Sequence, residues 1–111
     1  MDIEEVKAAI SLGIGRIAEA DDLARLFEVQ PNVLKSAFLH SEKITLTRHI
    51  LNTRIARAKE LLSQSDLECR TICYLVGFSR LDVGLRAFKR ETGLSMGQYR
   101  EEARALSGTD S

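Results

Sequence analysis

The sequence TLTRHILNTRIARAKELLSQ, residues 45–64, is the longest stretch without glycine or proline that keeps one helical stripe throughout. Apolar residues recur every three to five positions and basic residues lie between them, so one face is apolar and the rest is basic. The apolar stripe consists of Leu46, Ile50, Ile55, Ala58 and Leu62. At about 1.5 Å per residue the predicted helix is roughly 28 Å long, enough to separate two small helical units.

The composition predicts an all-helical globular chain. It has 111 residues, of which 44% are hydrophobic, and a single proline. No apolar run approaches the ~20 residues of a membrane span, and the acidic start MDIEEVK does not resemble a signal peptide, so we expect a cytoplasmic (nucleoid) location. Cys69 and Cys73, four residues apart on one predicted helix, suit neither a local disulfide nor a metal site. We expect buried thiols and no cofactor.

Positive charge is concentrated in two blocks although the net charge is zero. Residues 31–59 contain six Lys or Arg and one acid, and residues 80–100 contain five Lys or Arg and two acids. Residues 1–30 are acidic, with seven Asp or Glu against three basic residues. Such blocks can be ordinary solvated surface, and they indicate a nucleic-acid interface only where they coincide with a binding motif.

Two short helices before residue 45 form a helix-turn-helix candidate. A first helix is predicted over residues 3–12 and a second one near Leu23, with acidic residues at its start. The turn Val29–Asn32 places Pro31 in the first turn of a third helix. The predicted inward residues of that helix are Val33, Leu34, Ala37 and Phe38. The predicted outward residues are Asn32, Lys35, Ser36, Leu39 and His40.

The chain after residue 64 repeats this layout. Ser65 or Asp66 is predicted to cap a helix whose inward residues are Ile72, Cys73, Leu75 and Val76. Gly77 makes the turn, and Ser79 is predicted to cap the next helix, which runs to about Glu91. Ser95 is predicted to cap a last helix, which a polar tail follows.

Three segments together resemble the AraC/XylS-type DNA-binding domain of bacterial transcription regulators. They are RIARAKELL at 54–62, ICYLVGFS at 72–79, and Phe88-Lys89 followed by Gly93, Ser95 and Tyr99-Arg100. The resemblance covers roughly residues 3–103 and implies an all-α fold of seven helices, with two homeodomain-like helix-turn-helix subdomains joined by a long central helix. The implied boundaries are 1–44 for the first subdomain, 45–64 for the linker helix, 65–105 for the second subdomain and 106–111 for a disordered tail.

The resemblance implies a sequence-specific regulator that binds double-stranded DNA and reads two adjacent major-groove segments, about 34 Å or one helical turn apart. The base-contacting residues that it implies are Asn32, Lys35 and Ser36 on the first recognition helix, and Arg80, Leu81, Asp82 and Arg86 on the second. Those implied for the DNA backbone are Arg57, Lys89 and Arg90. We expect a monomer as this fragment, with RNA polymerase as a further candidate partner and dimerisation through a domain outside the sequence.

Four positions depart from the family pattern. Gly84 stands where a large apolar residue is usual, Lys43 where glycine is usual, His49 where an aromatic residue is usual and Met96 where proline is usual. Helix propensity alone predicts that Gly84→Ala stabilises the fold by a few tenths to about 1 kcal/mol, provided that Gly84 has helical dihedral angles.

Two alternatives stand beside DNA binding. Leu81, Asp82, Gly84 and Leu85 make the second recognition helix unusual, which would suit a degenerate module that acts as a protein-interaction domain. An enzyme is disfavoured, because the two histidines, His40 and His49, lie on different helices without an evident Ser or Cys partner.

Overall fold

The computed structural model describes residues 1–16 and 19–108 of the chain, and in those residues it contains seven α-helices, as predicted. No helix in the described part is long and apolar enough to cross a membrane. The helices are α1 Ile3–Leu12, α2 Ala20–Leu26, α3 Pro31–Glu42, α4 Leu46–Gln64, α5 Cys69–Leu75, α6 Leu81–Thr92 and α7 Met96–Gly108.

The chain divides into two compact units inside α4. The first unit comprises residues 1–54 and the second comprises residues 55–111. All five residues of the predicted stripe are buried: Leu46 and Ile50 in the first unit, and Ile55, Ala58 and Leu62 in the second. The long helix is therefore shared between the units. At the other end, α7 continues to Gly108, through the first residues of the predicted tail, and residues 109–111 lie outside the described residues.

Apolar packing and an ion pair between α1 and the end of α3 close the first unit. The fully buried side chains of its core include Ile10, Leu23, Leu34 and Phe38. Lys7 of α1 donates to Glu42 at the end of α3 over 2.9 Å. Its hydrogen bond lowers the pKa of Glu42 and raises the pKa of Lys7.

The second unit repeats this packing and anchors α7 to the end of α4. The Phe88 and Tyr99 rings meet edge to face with centroids 5.5 Å apart. Arg100 donates from Nε to the Leu62 carbonyl at 3.0 Å and from Nη2 to the Ser65 carbonyl at 3.2 Å. Carbonyls at a helix C-terminus have no partner within the helix, so the guanidinium satisfies two groups that would otherwise need water.

Of the three predicted helix caps, one is confirmed and two are wrong. Ser95 accepts from the Gln98 amide at 3.1 Å, and Gln98 accepts from the Ser95 amide at 2.9 Å, which is a capping box. Ser65 instead donates to the Leu61 carbonyl and closes the end of α4, while Glu68 is the N-cap of α5. The N-cap of α6 is Arg80 rather than Ser79, and Arg80 makes no side-chain cap bond.

Four residues predicted to be buried are not. Val33 is 54% exposed and Leu75 is 43% exposed, while Ala37 and Cys69 are half-buried. Cys73 is buried as expected. Each residue turns an α-helix by about 100°, so Val33 points well away from the line that Leu34 and Phe38 define.

Gly84 lies in a packed part of the second unit. An added Cβ would stand 2.7 Å from Cys73 Sγ, a distance that Cβ atoms essentially never show, and 3.0 Å from the Phe78 ring, which is also unusually tight. Gly84 has no positive φ, so packing and not backbone conformation requires glycine here. The gain that helix propensity alone predicts for alanine is therefore opposed by overpacking.

We therefore expect Gly84→Ala to lower the free energy of unfolding by about 0.5–2 kcal/mol, because overpacking outweighs helix propensity. Chemical denaturation measures this change. Gly97→Ala is the matched control, since nothing lies within 4 Å of its added Cβ, and it should be neutral or stabilising. In a Cys73→Ala background the cost of Gly84→Ala should shrink. Stabilisation by Gly84→Ala alone would contradict the packing argument.

His49 is half-buried, and its ring packs against Phe38 with centroids 5.1 Å apart. Burial lowers the pKa of His49 below its ordinary value of 6.5, Lys7 lowers it further, and Glu42 opposes the shift. The folded protein therefore binds this proton less readily than the unfolded chain does. Protonation favours unfolding, so the stability falls as the pH drops below about 6.5.

We expect the free energy of unfolding to decrease between pH 7.5 and pH 5.5, and His49→Phe to remove most of that decrease while keeping the ring contact with Phe38. Urea titrations at several pH values provide the measurement. His40→Gln, which removes the exposed histidine of α3, is the control and should leave the pH dependence in place. An unchanged slope in His49→Phe would assign the effect to other groups.

Candidate nucleic-acid interface

The first helix-turn-helix consists of α2, a tight turn and α3. Glu19 and Asp22 form a capping box that starts α2. In the turn, Glu28 takes a left-handed conformation with φ 56°, and the Val29 amide donates to the Ala24 carbonyl at 3.0 Å. Pro31 then opens α3, where its fixed φ suits the first helical position. The turn thus fixes the direction in which α3 leaves α2.

The predicted base-contacting residues of α3 share its exposed face. Asn32, Lys35 and Ser36 are all exposed, and their spacing of three and four residues places them side by side. A surface cavity of about 270 Å³ adjoins this face between α3 and the start of α4. Its lining residues are Lys35, Ser36, Leu39, Thr45, Leu46 and Thr47.

The second helix-turn-helix, α5 to α6, uses the same turn. Gly77 is left-handed with φ 99°, and the Phe78 amide donates to the Cys73 carbonyl at 3.0 Å. Two residues, Ser79 and Arg80, then precede α6, whereas Gln30 alone precedes α3. The second turn is therefore one residue longer, and Arg80 is the N-cap of α6 as Gln30 is the N-cap of α3.

The two recognition helices can be compared position by position. Both contain 12 residues, α3 begins at Pro31 and α6 at Leu81, and both end at a left-handed residue, Lys43 or Gly93, so their positions are offset by 50. Asn32 thus corresponds to Asp82, Lys35 to Leu85 and Ser36 to Arg86. The same backbone presents two chemically different faces.

Three of the four base-contacting residues predicted for the second unit lie together around one carboxylate. Asp82 accepts from Arg80 Nε at 3.1 Å and Nη2 at 3.2 Å, and from Arg86 Nη2 at 3.1 Å. Arg86 Nε also donates to the Asp82 carbonyl at 3.3 Å. Leu81, the first residue of α6, is half-buried and belongs partly to the packed side.

The three residues predicted for the DNA backbone are exposed but are not part of this cluster. Lys89 and Arg90 lie in the last turn of α6, and Arg90 pairs with Glu91 at 3.2 Å. Arg57 lies on α4 and pairs with Glu60 at 2.7 Å. Each of these cations is available to solvent at the surface of the second unit.

Sequence reasoning missed two exposed valines on the recognition faces. Val33 was predicted to be core, and Val83, at the corresponding position of α6, was not considered. Val33 is 54% and Val83 40% exposed, beside Asn32 and Asp82 respectively. A helical wheel centred on the midpoint of Leu34 and Phe38 would have placed Val33 outside the buried sector.

Comparison with known proteins places this geometry in a family. A family model described as a helix-turn-helix domain matches residues 23–102. The chain is 28% identical over 100 residues to the Msm operon regulatory protein of Streptococcus mutans, covering 90% of this chain and 36% of that protein. It is 27% identical over 86 residues to the HTH-type transcriptional regulator YtdP of Bacillus subtilis, covering 78% of this chain and 11% of that protein. The chain thus spans a minor part of these relatives.

Solved structures share the fold. The DNA-binding domain of AdpA, a global transcriptional factor, in complex with a target DNA, gives a TM-score of 0.86 at 21% identity and covers 94% of both chains. The C-terminal domain of AraT, a response regulator from Geobacillus stearothermophilus, gives a TM-score of 0.84 at 22% identity, covering 90% of this chain and 84% of that one.

Proposed function

This chain belongs to the AraC-type helix-turn-helix family, and on that premise we propose that it binds double-stranded DNA sequence-specifically and regulates transcription. The observation that carries the proposal is that each unit holds a helix with an exposed polar face directly after a helix-turn-helix turn. Such a helix enters the major groove in proteins that use this motif. The related AdpA domain was solved on its target DNA, which supports the same partner here.

On α3, Asn32, Lys35 and Ser36 are the proposed base-contacting residues. An asparagine amide can pair with adenine through N6 and N7, a lysine can donate to guanine or to a phosphate, and a serine can contact several bases. Val33 adds an apolar group beside Asn32, which suits a thymine methyl. This helix therefore offers three kinds of base contact over its first two turns.

On α6, Arg80 and Arg86 are the proposed guanine-reading residues, since a guanidinium can donate twice to O6 and N7. Leu81 and Asp82 flank them at the start of the helix. Arg57, Lys89 and Arg90 are proposed to contact phosphates, which fixes orientation without reading sequence. Neither a cofactor nor a catalytic step is part of this function.

Because the two faces differ, each unit would read a different sequence, and one monomer would bind an asymmetric site composed of two adjacent major-groove segments.

RNA polymerase is the proposed further partner through which binding to this site would affect transcription. Selection of bound sites from random duplex DNA tests this directly. Two conserved blocks about one helical turn apart are the expected result.

We expect the logarithm of the DNA affinity to fall steeply and linearly with the logarithm of the salt concentration, because several phosphate contacts release counterions. Fluorescence anisotropy on a selected site between roughly 50 and 200 mM salt measures the slope. Arg104→Ala is the control, because Arg104 lies on α7 outside both recognition faces, and this variant should show an unchanged slope. A response independent of salt would contradict DNA binding and favour an apolar protein interface.

We also expect the two units to contribute unequally to specificity. Lys35→Ala or Asn32→Ala should each cost about 1–3 kcal/mol and relax recognition in one half of the site, as lost base contacts do. Arg86→Ala should cost a similar amount if Arg86 reads a base; if it holds a phosphate, the loss is uniform across sequences and the salt slope falls by about one.

The measurement is the affinity of each variant for sites scrambled in one half at a time, with Arg104→Ala again as the control. Losses of equal size in the two halves would contradict unequal contributions. No loss in any of the three variants would remove the proposed base contacts altogether.

A further inference from the structure

Asp82 sits between two arginines on the recognition face of α6. Arg80 approaches it side-on, with Nε 3.1 Å from Oδ1 and Nη2 3.2 Å from Oδ2. Arg86, one turn further along the helix, places Nη2 3.1 Å from Oδ2 and Nε 3.3 Å from the Asp82 carbonyl. One residue thus receives four hydrogen bonds from two guanidinium groups.

The bonds use the same edge of both guanidinium groups. A guanidinium has five N–H donors, and its side-on edge consists of Nε–H and one Nη2–H. The end-on edge, formed by Nη1–H and the second Nη2–H, remains directed away from Asp82. Two parallel donors of this kind match the O6 and N7 acceptors of guanine. Each arginine can therefore bond to Asp82 through its side-on edge and to a guanine through its end-on edge at the same time.

The same ion pairs are poor candidates for a purely stabilising role. The side chains of Arg80 and Arg86 are 72% and 75% exposed and that of Asp82 is 50% exposed. Exposed ion pairs contribute little to folding because water screens them. A carboxylate on this face also repels phosphates, so it lowers the affinity for any DNA sequence. Asp82 also lies in the first turn of α6, where the helix dipole favours a carboxylate by a modest amount. Neither the dipole nor the exposed ion pairs explain why two arginines converge on this residue.

We propose that Asp82 is a positioning residue that holds Arg80 and Arg86 in the orientation that reads bases, so that it increases sequence discrimination at the expense of general DNA affinity. This inference rests on the proposed function. Fixing two long side chains before binding reduces the conformational entropy that is lost on binding. This favours base contacts in particular, because a base contact requires one defined orientation of the guanidinium. Loose arginines would bind phosphates at many positions equally well.

The first unit shows that the backbone does not require this carboxylate. Asn32 occupies the corresponding position of α3, and Ser36 corresponds to Arg86. Gln30, the N-cap of α3, occupies the position that corresponds to Arg80, the N-cap of α6. Asp82 therefore belongs to the second recognition face alone, together with the two arginines that it binds.

The decisive experiment compares Asp82→Asn with the unchanged protein on two duplexes, one selected by the unchanged protein from random DNA and one with the second half scrambled. We expect Asp82→Asn to bind the scrambled duplex more tightly and the ratio of the two affinities to fall roughly five- to tenfold. Asp82→Glu, which retains the carboxylate, should recover part of the ratio. Asp66→Asn is the matched control, since Asp66 is an exposed carboxylate of the same unit that pairs with Arg104 of α7.

The outcomes separate the two proposals. A ratio unchanged in Asp82→Asn, or a fall of equal size in Asp66→Asn, would overturn the positioning role. Tighter binding to both duplexes with the ratio preserved would also overturn it, because the ion pairs would then compete with DNA. Failure of the unchanged protein to bind any duplex would instead overturn the proposed function.

A measurement on the free protein tests the geometry independently of DNA. The Nε–H protons of Arg80 and Arg86 should exchange with water more slowly than that of Arg104, which is bonded through Nη2. Asp82→Asn should remove the difference for Arg80, whose Nε–H is bonded to the carboxylate, and should affect Arg86 less, because its Nε–H is bonded to the main-chain carbonyl. Rapid exchange of both protons in the unchanged protein would contradict a fixed cluster. Melting temperatures of all variants, measured in parallel, confirm that each comparison uses folded protein.

Discussion

The apolar stripe of α4 is the constraint on which both units depend. Leu46 and Ile50 complete the core of the first unit, while Ile55, Ala58 and Leu62 complete that of the second. A short helix pair cannot bury its apolar faces alone, so each helix-turn-helix needs a further helix to pack against. The first half of α4 serves this purpose after α3, and α7 serves it after α6. The second half of α4, which precedes α5 in the sequence, packs into the core of the second unit.

Each unit solves the same packing problem with different side chains. Phe38 packs against His49 in the first unit, and Phe88 packs against Tyr99 at the corresponding positions of the second. Where the first unit has Leu34, the second has Gly84. The adjacent turn positions compensate, because Ala24 and Val29 of the first unit correspond to the larger Cys73 and Phe78. The volume that Leu34 fills from the helix is filled in the second unit from the turn, which is why a Cβ on Gly84 meets both residues.

The sequence was sufficient for the helices and for the family but not for the environment of individual residues. The stripe of α4, the proline at the start of α3 and the Gly-Phe turn all follow from local rules, and the AraC/XylS resemblance is confirmed by the family match. Val33 and Leu75 were predicted to be buried because they adjoin buried residues in the sequence, whereas the turn of about 100° per residue places both outside the buried sector. The role of Gly84 depends on Cys73 and Phe78, which are close in space but belong to another helix and its turn. The Asp82 cluster depends on the side-chain rotamers of Arg80 and Arg86, which no sequence pattern specifies.

The residues of α6 that pack into the second unit differ from those proposed to read DNA, and Gly84 affects the position of both. Ala87 and Phe88 are buried and fix the helix, whereas Asp82 and Arg86 are exposed and belong to the proposed recognition face. Gly84 lies between Asp82 and Arg86 in the sequence, on the opposite side of the helix. Because it has no side chain, α6 approaches Cys73 and Phe78 more closely than a larger residue would permit. The position of the arginine cluster relative to the rest of the second unit is therefore set by the absence of one methyl group. A larger side chain at position 84 would shift α6 and with it the proposed recognition face, even where the unit stays folded. Because a base contact tolerates only small displacements, such a shift would weaken DNA recognition.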